Sequence, residues 1–263
     1  MENVTSIQLS AALSNLGHPW VALDQLTGPL PTAACVATLL DTSGQALGSG
    51  LFDPSDSLAA WRRFSHAEGA HFDGAYIASA LNDALARRSD EHCQRLICSD
   101  ADYLPGLVVE LYDGVLCLHS KHAVVDAEMD EIVESLKEAC EPKEIVLFQA
   151  DGVRTLSGQN LKARWIEIDG IAYRIDLLNT EKPRFFLDQR EQHALVGSLC
   201  EGRTVLDAYA HSGAFALQAA RNGAEHVVAV DCSDVCIKTI GAQAQKNNCY
   251  VETLDADGAA FPG

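Results

Sequence analysis

The feature that most constrains this chain is an alternation of short apolar runs with helix-length segments towards its C-terminal end. Thr204-Val-Leu-Asp207, Val227-Val-Ala-Val230 and Val251-Glu-Thr-Leu254 read as strands, the first of them as a buried one, while residues 213–222 and 233–247 between them read as helices. A further helix is predicted just upstream, over residues 187–199. Strands joined by single helices form a parallel sheet with right-handed crossovers. In such sheets a ligand sits at the carboxyl ends of the strands.

Those ends are acidic here. The first strand ends at Asp207 and runs into Ala208-Tyr-Ala-His-Ser-Gly-Ala-Phe215; the second ends at Asp231, 24 residues later; the third leads into Asp255-Ala-Asp257. A turn of small residues lets the backbone approach a ligand, and Gly213 lets the next helix begin beside it. A carboxylate at the second strand end can accept both hydroxyls of an adenosine ribose, and a group at the third can meet the adenine amino edge. Each residue also has a plainer reading. Asp207 can cap the next helix, Asp231 can cap the helix opening at Ser233, Asp257 can be a turn residue and His211 an ordinary loop histidine. The loop lacks G-x-G-x-x-G, which argues against a nicotinamide-dependent oxidoreductase.

Upstream the pattern changes. Residues 1–68 hold strand candidates at Val36-Ala-Thr-Leu-Leu40 and Ala46–Phe52, separated by the turns Asp41-Thr-Ser-Gly44 and Asp53-Pro-Ser-Asp56, which suggests a small β-rich module. Residues 71–88 read as a helix through Ile77, Leu81, Ala84 and Leu85, with Arg87 and Arg88 at its end. Arg95-Leu-Ile-Cys98 is an apolar run, and Leu107–Tyr112, Asp113-Gly114 and Val115–His119 form a hairpin signal. An acidic amphipathic helix is predicted over residues 126–140 with Met129, Ile132, Val133 and Leu136 on one face, then a strand at Ile145–Phe148. Trp165–Asp176 alternates and turns at Asp169-Gly170, a second hairpin.

Bulk properties narrow the class. With 263 residues, 48% hydrophobic and 21% charged, the chain has the make-up of a globular protein with room for two or three domains. No apolar run approaches the ~18 to 20 residues of a membrane helix, and the N-terminus lacks the marks of a signal peptide, so a cytosolic protein without a membrane partner is expected. The nine cysteines are scattered without a C-x-x-C, against a structural zinc site; Cys232 and Cys236, at i and i+4, are expected to share a helix face, and most of the nine to be buried thiols. The net charge of −18 argues against a broad phosphate-gripping face, and its excess falls mainly in residues 71–179, with 20 acids against 10 bases.

Particular stretches resemble a known family. Arg184-Phe-Phe-Leu-Asp-Gln-Arg190 followed by Val205-Leu-Asp-Ala-Tyr-Ala-His-Ser-Gly-Ala-Phe215 looks like the bacterial 23S rRNA (cytosine-5) methyltransferases that carry an N-terminal PUA domain. Gly17-His-Pro-Trp20 and Gly48-Ser-Gly-Leu-Phe-Asp-Pro-Ser-Asp-Ser57 are similar to that PUA module, and Arg95-Leu-Ile-Cys-Ser-Asp-Ala-Asp-Tyr-Leu-Pro-Gly106 to the family's middle domain. The resemblance implies an α/β fold in three parts: a PUA-like β module over 1–68, an α+β middle domain over 69–165, and an incomplete Rossmann-type domain binding S-adenosylmethionine over 166–263.

It also implies roles. Phe186, Gln189 and Arg190 would border the methyl-donor pocket; Asp207, Tyr209, His211, Ser212 and Gly213 would cradle the methionine part; Asp231, with Cys232 beside it, would hold the ribose; Asp257 would contact adenine. Core packing is the alternative for one of Phe185 and Phe186, and pairing with a surface acid the alternative for Arg190. The implied partner is RNA, 23S rRNA in particular, with a homodimer left open.

The sequence departs from the family in places. The family uses an Asp-Pro-Pro loop after a fourth strand, and a cysteine that adds to C6 of cytosine so that C5 becomes enamine-like and attacks the donor methyl. This sequence has no Asp-Pro-Pro and no cysteine at the matching place, so no catalytic residue is assigned and a truncated or fragmentary member is expected, with an exposed sheet edge. Pro183-Arg184 stands where the family often has Thr-Gly, and Arg62 and Arg63 are the only Lys or Arg residues in the first 70 positions. The competing reading is a donor- and RNA-binding protein without the transfer chemistry.

Overall fold

The computed structural model describes residues 4–12, 18–157, 161–178 and 185–258. Gly17, Pro183, Arg184 and Gly263, which carry parts of the sequence reading, lie outside the described residues. The chain forms two compact units, Met1–Gln159 and Asn160–Gly263.

The first unit contains two sheets. Strands β1 (Thr5–Leu9), β2 (Trp20–Val21), β3 (Leu26–Thr27), β4 (Cys35–Leu40), β5 (Ala46–Phe52) and β6 (Trp61–Ser65) make a six-stranded sheet in the order β2-β6-β5-β4-β1-β3, antiparallel except for the parallel pair β1–β4. Trp61 is its largest buried side chain, and its indole N–H donates to the Ala37 carbonyl at 2.9 Å, so the one polar atom of the ring is satisfied inside the core.

Helix α1 (Gly74–Leu85) is shorter than the predicted 71–88 because Asp73 caps it, its carboxylate accepting the Tyr76 amide, while Arg87 and Arg88 leave the helix to pair with the buried Asp102. Strands β7 (Cys93–Cys98), β8 (Leu107–Tyr112) and β9 (Val115–Ser120) follow, the last two joined by the predicted two-residue turn, where Asp113 (φ 47°) and Gly114 (φ 84°) take the left-handed conformations of a type I′ turn. The single helix expected over 126–140 is two, α2 (Ala123–Ala127) and α3 (Met129–Cys140), broken at Glu128 (φ −97°, ψ 11°). The two pieces serve different neighbours: α2 buries Val125 near β4 and β9, whereas α3 turns Met129, Ile132, Val133 and Leu136 inward and packs on α1. With β10 (Glu144–Gln149) and β11 (Gly152–Thr155) these strands form a sheet ordered β11-β10-β9-β8-β7. Leu51 and Phe64 from the first sheet share one apolar core with this sheet and its helices.

The second unit opens with the predicted hairpin, β12 (Arg164–Ile168) and β13 (Ile171–Ile175). The helix expected over 187–199 begins as a 3-10 turn at Leu187–Gln189 and becomes α4 (Arg190–Ser198). Then come β14 (Thr204–Ala208), α5 (Ala214–Arg221), β15 (His226–Asp231), α6 (Asp234–Lys246) and β16 (Glu252–Asp255), a parallel sheet ordered β14-β15-β16. The sequence-derived fold class is the one observed: mixed α/β, β-rich at the N-terminus, α+β next, and a Rossmann-type parallel sheet with helical crossovers at the C-terminus. One expectation fails in detail. β14 is not a buried strand, since Thr204 and Ala208 are exposed and Leu206 is 50% exposed. Among the described residues β14 is the edge strand of this sheet, paired with β15 alone.

Candidate functional site

The three parallel strands deliver their carboxyl ends to one edge of the second unit. In the ladder Asp207 stands level with Ala229 and Asp231 level with Asp255, so the two acids singled out in the sequence emerge two residues apart in depth.

Between β14 and α5 the chain turns through Tyr209 (φ 60°), His211 (φ 49°) and Gly213 (φ 71°), three left-handed residues in five. Two non-glycine residues in that region cost conformational energy, so the surroundings must hold them there. Asp231 is the main clamp. Its Oδ2 accepts the His211 amide at 2.9 Å and its Oδ1 accepts the Ser233 amide at 2.8 Å. The Ala210 amide donates to the Val230 carbonyl at 3.0 Å. From the other side Gln243 of α6, 1% exposed, donates through Nε2 to the Ser212 carbonyl at 2.7 Å. Gly213 is required on two counts: its φ is left-handed, and an added Cβ would lie 2.7 Å from Cγ1 of Ile240.

The helix-cap alternatives resolve differently for the two acids. Asp207 does cap the next helix, its Oδ2 accepting the Ala216 amide at 3.0 Å. Burial pushes its carboxyl up to about 6, partly offset by the Ala216 amide and reinforced by the nearby charge of Asp231. The cap of α6 is Ser233, whose Oγ accepts the Cys236 amide, and Asp231 instead fastens the turn in front of it.

The remaining candidates fall in three places. Phe185 is buried against Tyr173 and His193, while Phe186 sits half-buried with its ring 5.1 Å from that of His211, so one of the pair is core and the other faces the loop. Gln189 is exposed, and Arg190 donates through Nε and Nη2, one edge of its guanidinium, to the two carboxylate oxygens of Asp169 at the hairpin turn, the surface-acid pairing weighed for it. Tyr209 is 61% exposed and lies against Gly258, where an added Cβ would meet the ring at 3.1 Å; this brings the end of the third strand to the loop of the first. Asp257 and Cys232 are exposed. Cys232 precedes the cap residue and is outside α6, so it shares no helix face with Cys236. Cys93, Cys117, Cys200 and Cys236 are buried, fewer than expected; Cys35, Cys98, Cys140 and Cys249 are partly buried and Cys232 is exposed.

The sequence reading missed the side chains that fix this arrangement. Gln243 also accepts the Arg174 amide at 2.8 Å, and Asn247 exchanges two 2.8 Å bonds with the Ala172 backbone, so two amides one helical turn apart lock β13 onto α6. The available signal was a polar i, i+4 pair on the face that otherwise shows Ile240 and Ala244. His193, 3% exposed and wedged between Phe185 and Phe215, was missed as well; burial pushes its pKa down and keeps it neutral.

Residues 145–251 match the family described as S-adenosylmethionine-dependent methyltransferase. The chain is 28% identical over 260 residues to ribosomal RNA large subunit methyltransferase I of Photobacterium profundum, an alignment covering 90% of this chain and 65% of that protein. It is 30% identical over 247 residues to the ribosomal RNA large subunit methyltransferase of Deinococcus radiodurans, covering 82% and 59%. The chain therefore spans slightly less than two thirds of the length of these curated relatives. Its fold matches that of a candidate SAM-dependent methyltransferase from Streptococcus mutans, with a TM-score of 0.83 at 19% identity, over 97% of this chain and 71% of that one. No helix among the described residues is long and apolar enough to cross a membrane.

Proposed function

We propose that this chain is an S-adenosylmethionine-dependent RNA methyltransferase acting on a cytosine C5 of 23S rRNA. The observation that carries this reading is the Asp231-clamped loop at the carboxyl ends of three parallel strands, inside the segment matched by the methyltransferase family. The residues present fit the donor. Asp231 stands at a strand end with a sliver of its surface open, and each carboxylate oxygen has a second lone pair beyond the backbone amide it holds, enough to receive ribose hydroxyls. Phe186, Tyr209 and the Asp257–Gly258 segment supply apolar and polar walls, with Asp207 to Gly213 shaping the floor.

When bound, S-adenosylmethionine supplies an electrophilic methyl group. This chain's residues bind and orient it: Asp231 fixes the loop and the sugar together, and Gly213 starts α5 where a side chain would block it. The same reading makes residues 1–68 a PUA-like module, residues 69–165 a middle domain, RNA the partner and the cytoplasm the place of action. The second reading is a donor- and RNA-binding protein without transfer chemistry.

Incubation with methyl-labelled S-adenosylmethionine and 23S rRNA, followed by nucleoside mass spectrometry, separates the two. Labelled 5-methylcytidine is the result expected of the enzyme. A different methylated nucleoside overturns the cytosine-5 assignment, and donor binding without any transfer supports the second reading.

A further inference from the structure

Trp165 is an exposed indole in an unusual setting. It stands on β12 directly across the ladder from Arg174 of β13, with 38% of its surface open to solvent. The Arg174 guanidinium lies 5.9 Å from the ring centroid, and the ammonium of Lys246, the last residue of α6, lies 5.8 Å from it. The chain has 37 acidic residues against 19 Lys and Arg, so cations have carboxylates in excess. Arg62, Arg87, Arg88, Arg95, Arg190 and Lys238 all take one. Arg174 and Lys246 form no ion pair with any described residue and stand around an aromatic ring instead. The acid on the same strand face, Glu167, sits across from Ala172, one alternate position along the ladder.

The cluster is also held rigidly. The Arg174 amide donates to Gln243 and the Ala172 backbone is bonded to Asn247 through both its groups, so the strand carrying Arg174 and the helix end carrying Lys246 cannot move apart. Two cations with no ion pair among the described residues, standing about an open indole, suit a ligand that is both flat and anionic. Stacking on the ring uses the base, and the ammonium and guanidinium take the phosphates on either side. An acidic peptide would use the cations and leave the ring idle.

We infer that Trp165, Arg174 and Lys246 form a docking platform for single-stranded RNA, at the opposite end of α6 from the Asp231 loop. Helix α6 has 13 residues, so its ends lie about 20 Å apart, and the platform grips RNA a few nucleotides from the reacting base. This inference rests on the RNA reading above, but not on the methyl-donor site.

Tryptophan fluorescence tests it, in a Trp20→Phe background so that the other exposed indole is silent. A 12-nucleotide single-stranded RNA of mixed sequence should quench the emission. Trp165→Ala should weaken binding of the same RNA, followed by a fluorophore on its end, about tenfold, while Trp165→Phe keeps most of the affinity and shows that the hairpin is intact. Arg174→Ala with Lys246→Ala should flatten the log–log salt dependence by about 1.4. Equal binding by Trp165→Ala and its parent overturns the inference, and so does quenching by poly-glutamate as strong as that by RNA. Titration with S-adenosylhomocysteine, run alongside, keeps the two readings apart. RNA quenching without S-adenosylhomocysteine binding sinks the donor reading and leaves the platform standing; the reverse sinks the platform and leaves the donor reading standing.

Discussion

The five-stranded sheet of the first unit and the three-stranded sheet of the second are written in similar apolar runs and reach different burial. Val115-Leu-Cys-Leu118 of β9 lies between two partner strands, and all four side chains are at most 1% exposed. Val205-Leu206 of β14 is as apolar, yet Leu206 is half exposed while its neighbour Asp207, on the opposite face of the strand, is buried. The apolar pattern tells which side chains seek cover, and what packs on each face of the sheet tells which receive it. β14 is also the strand that runs into the loop clamped by Asp231.

Substitutions graded by burial test that contrast. Leu118→Ala should have the largest effect, lowering the unfolding free energy by about 2–5 kcal/mol in urea titrations, because it empties space in a closed core. Gly213→Ala should cost about 1–3 kcal/mol through its left-handed backbone and the approach to Ile240, and should weaken donor binding as well. A loss as small as that of an ordinary surface change would mean the loop is not held as described.

Asp207 gives a prediction with a definite sign. Its folded-state pKa of about 6 lies above the ordinary carboxylate value, so the folded form holds the proton more tightly. Its favourable contribution is complete below about pH 4 and is lost as the pH rises through 6. Asp207→Asn removes the buried charge and can keep the bond to the Ala216 amide. Its stability relative to the parent should therefore rise by about 2–3 kcal/mol between pH 4 and pH 7, measured as the shift in unfolding free energy. An unchanging difference across that range would show that the carboxyl is not buried in solution. Leu206→Ala should have the smallest effect, within about 1 kcal/mol; a loss like that of Leu118→Ala would mean β14 is covered in solution.

Much of this architecture was legible from local chemistry. The turns at Asp113-Gly114 and Asp169-Gly170, the strand ends at Asp207 and Asp231, and the apolar face of α3 all follow from short-range rules of period and conformation. What escaped depends on long-range partners. Nothing local says that Gln243 and Asn247 reach β13, that Arg190 finds Asp169 21 residues away, or that the helix over 126–140 must break at Glu128 so that its halves can serve different neighbours. Asp207 and Asp231 both had a helix-cap alternative in the sequence, and only their bonds show that one caps a helix while the other clamps a loop.

The most direct test of the account is calorimetric titration of the chain with S-adenosylhomocysteine, with Asp231→Ala beside it. The account predicts micromolar-range binding that Asp231→Ala weakens by about 1–3 kcal/mol, the scale of a lost hydrogen bond to a charged group. Binding that Asp231→Ala leaves unchanged, or no binding by the folded parent chain, would contradict it.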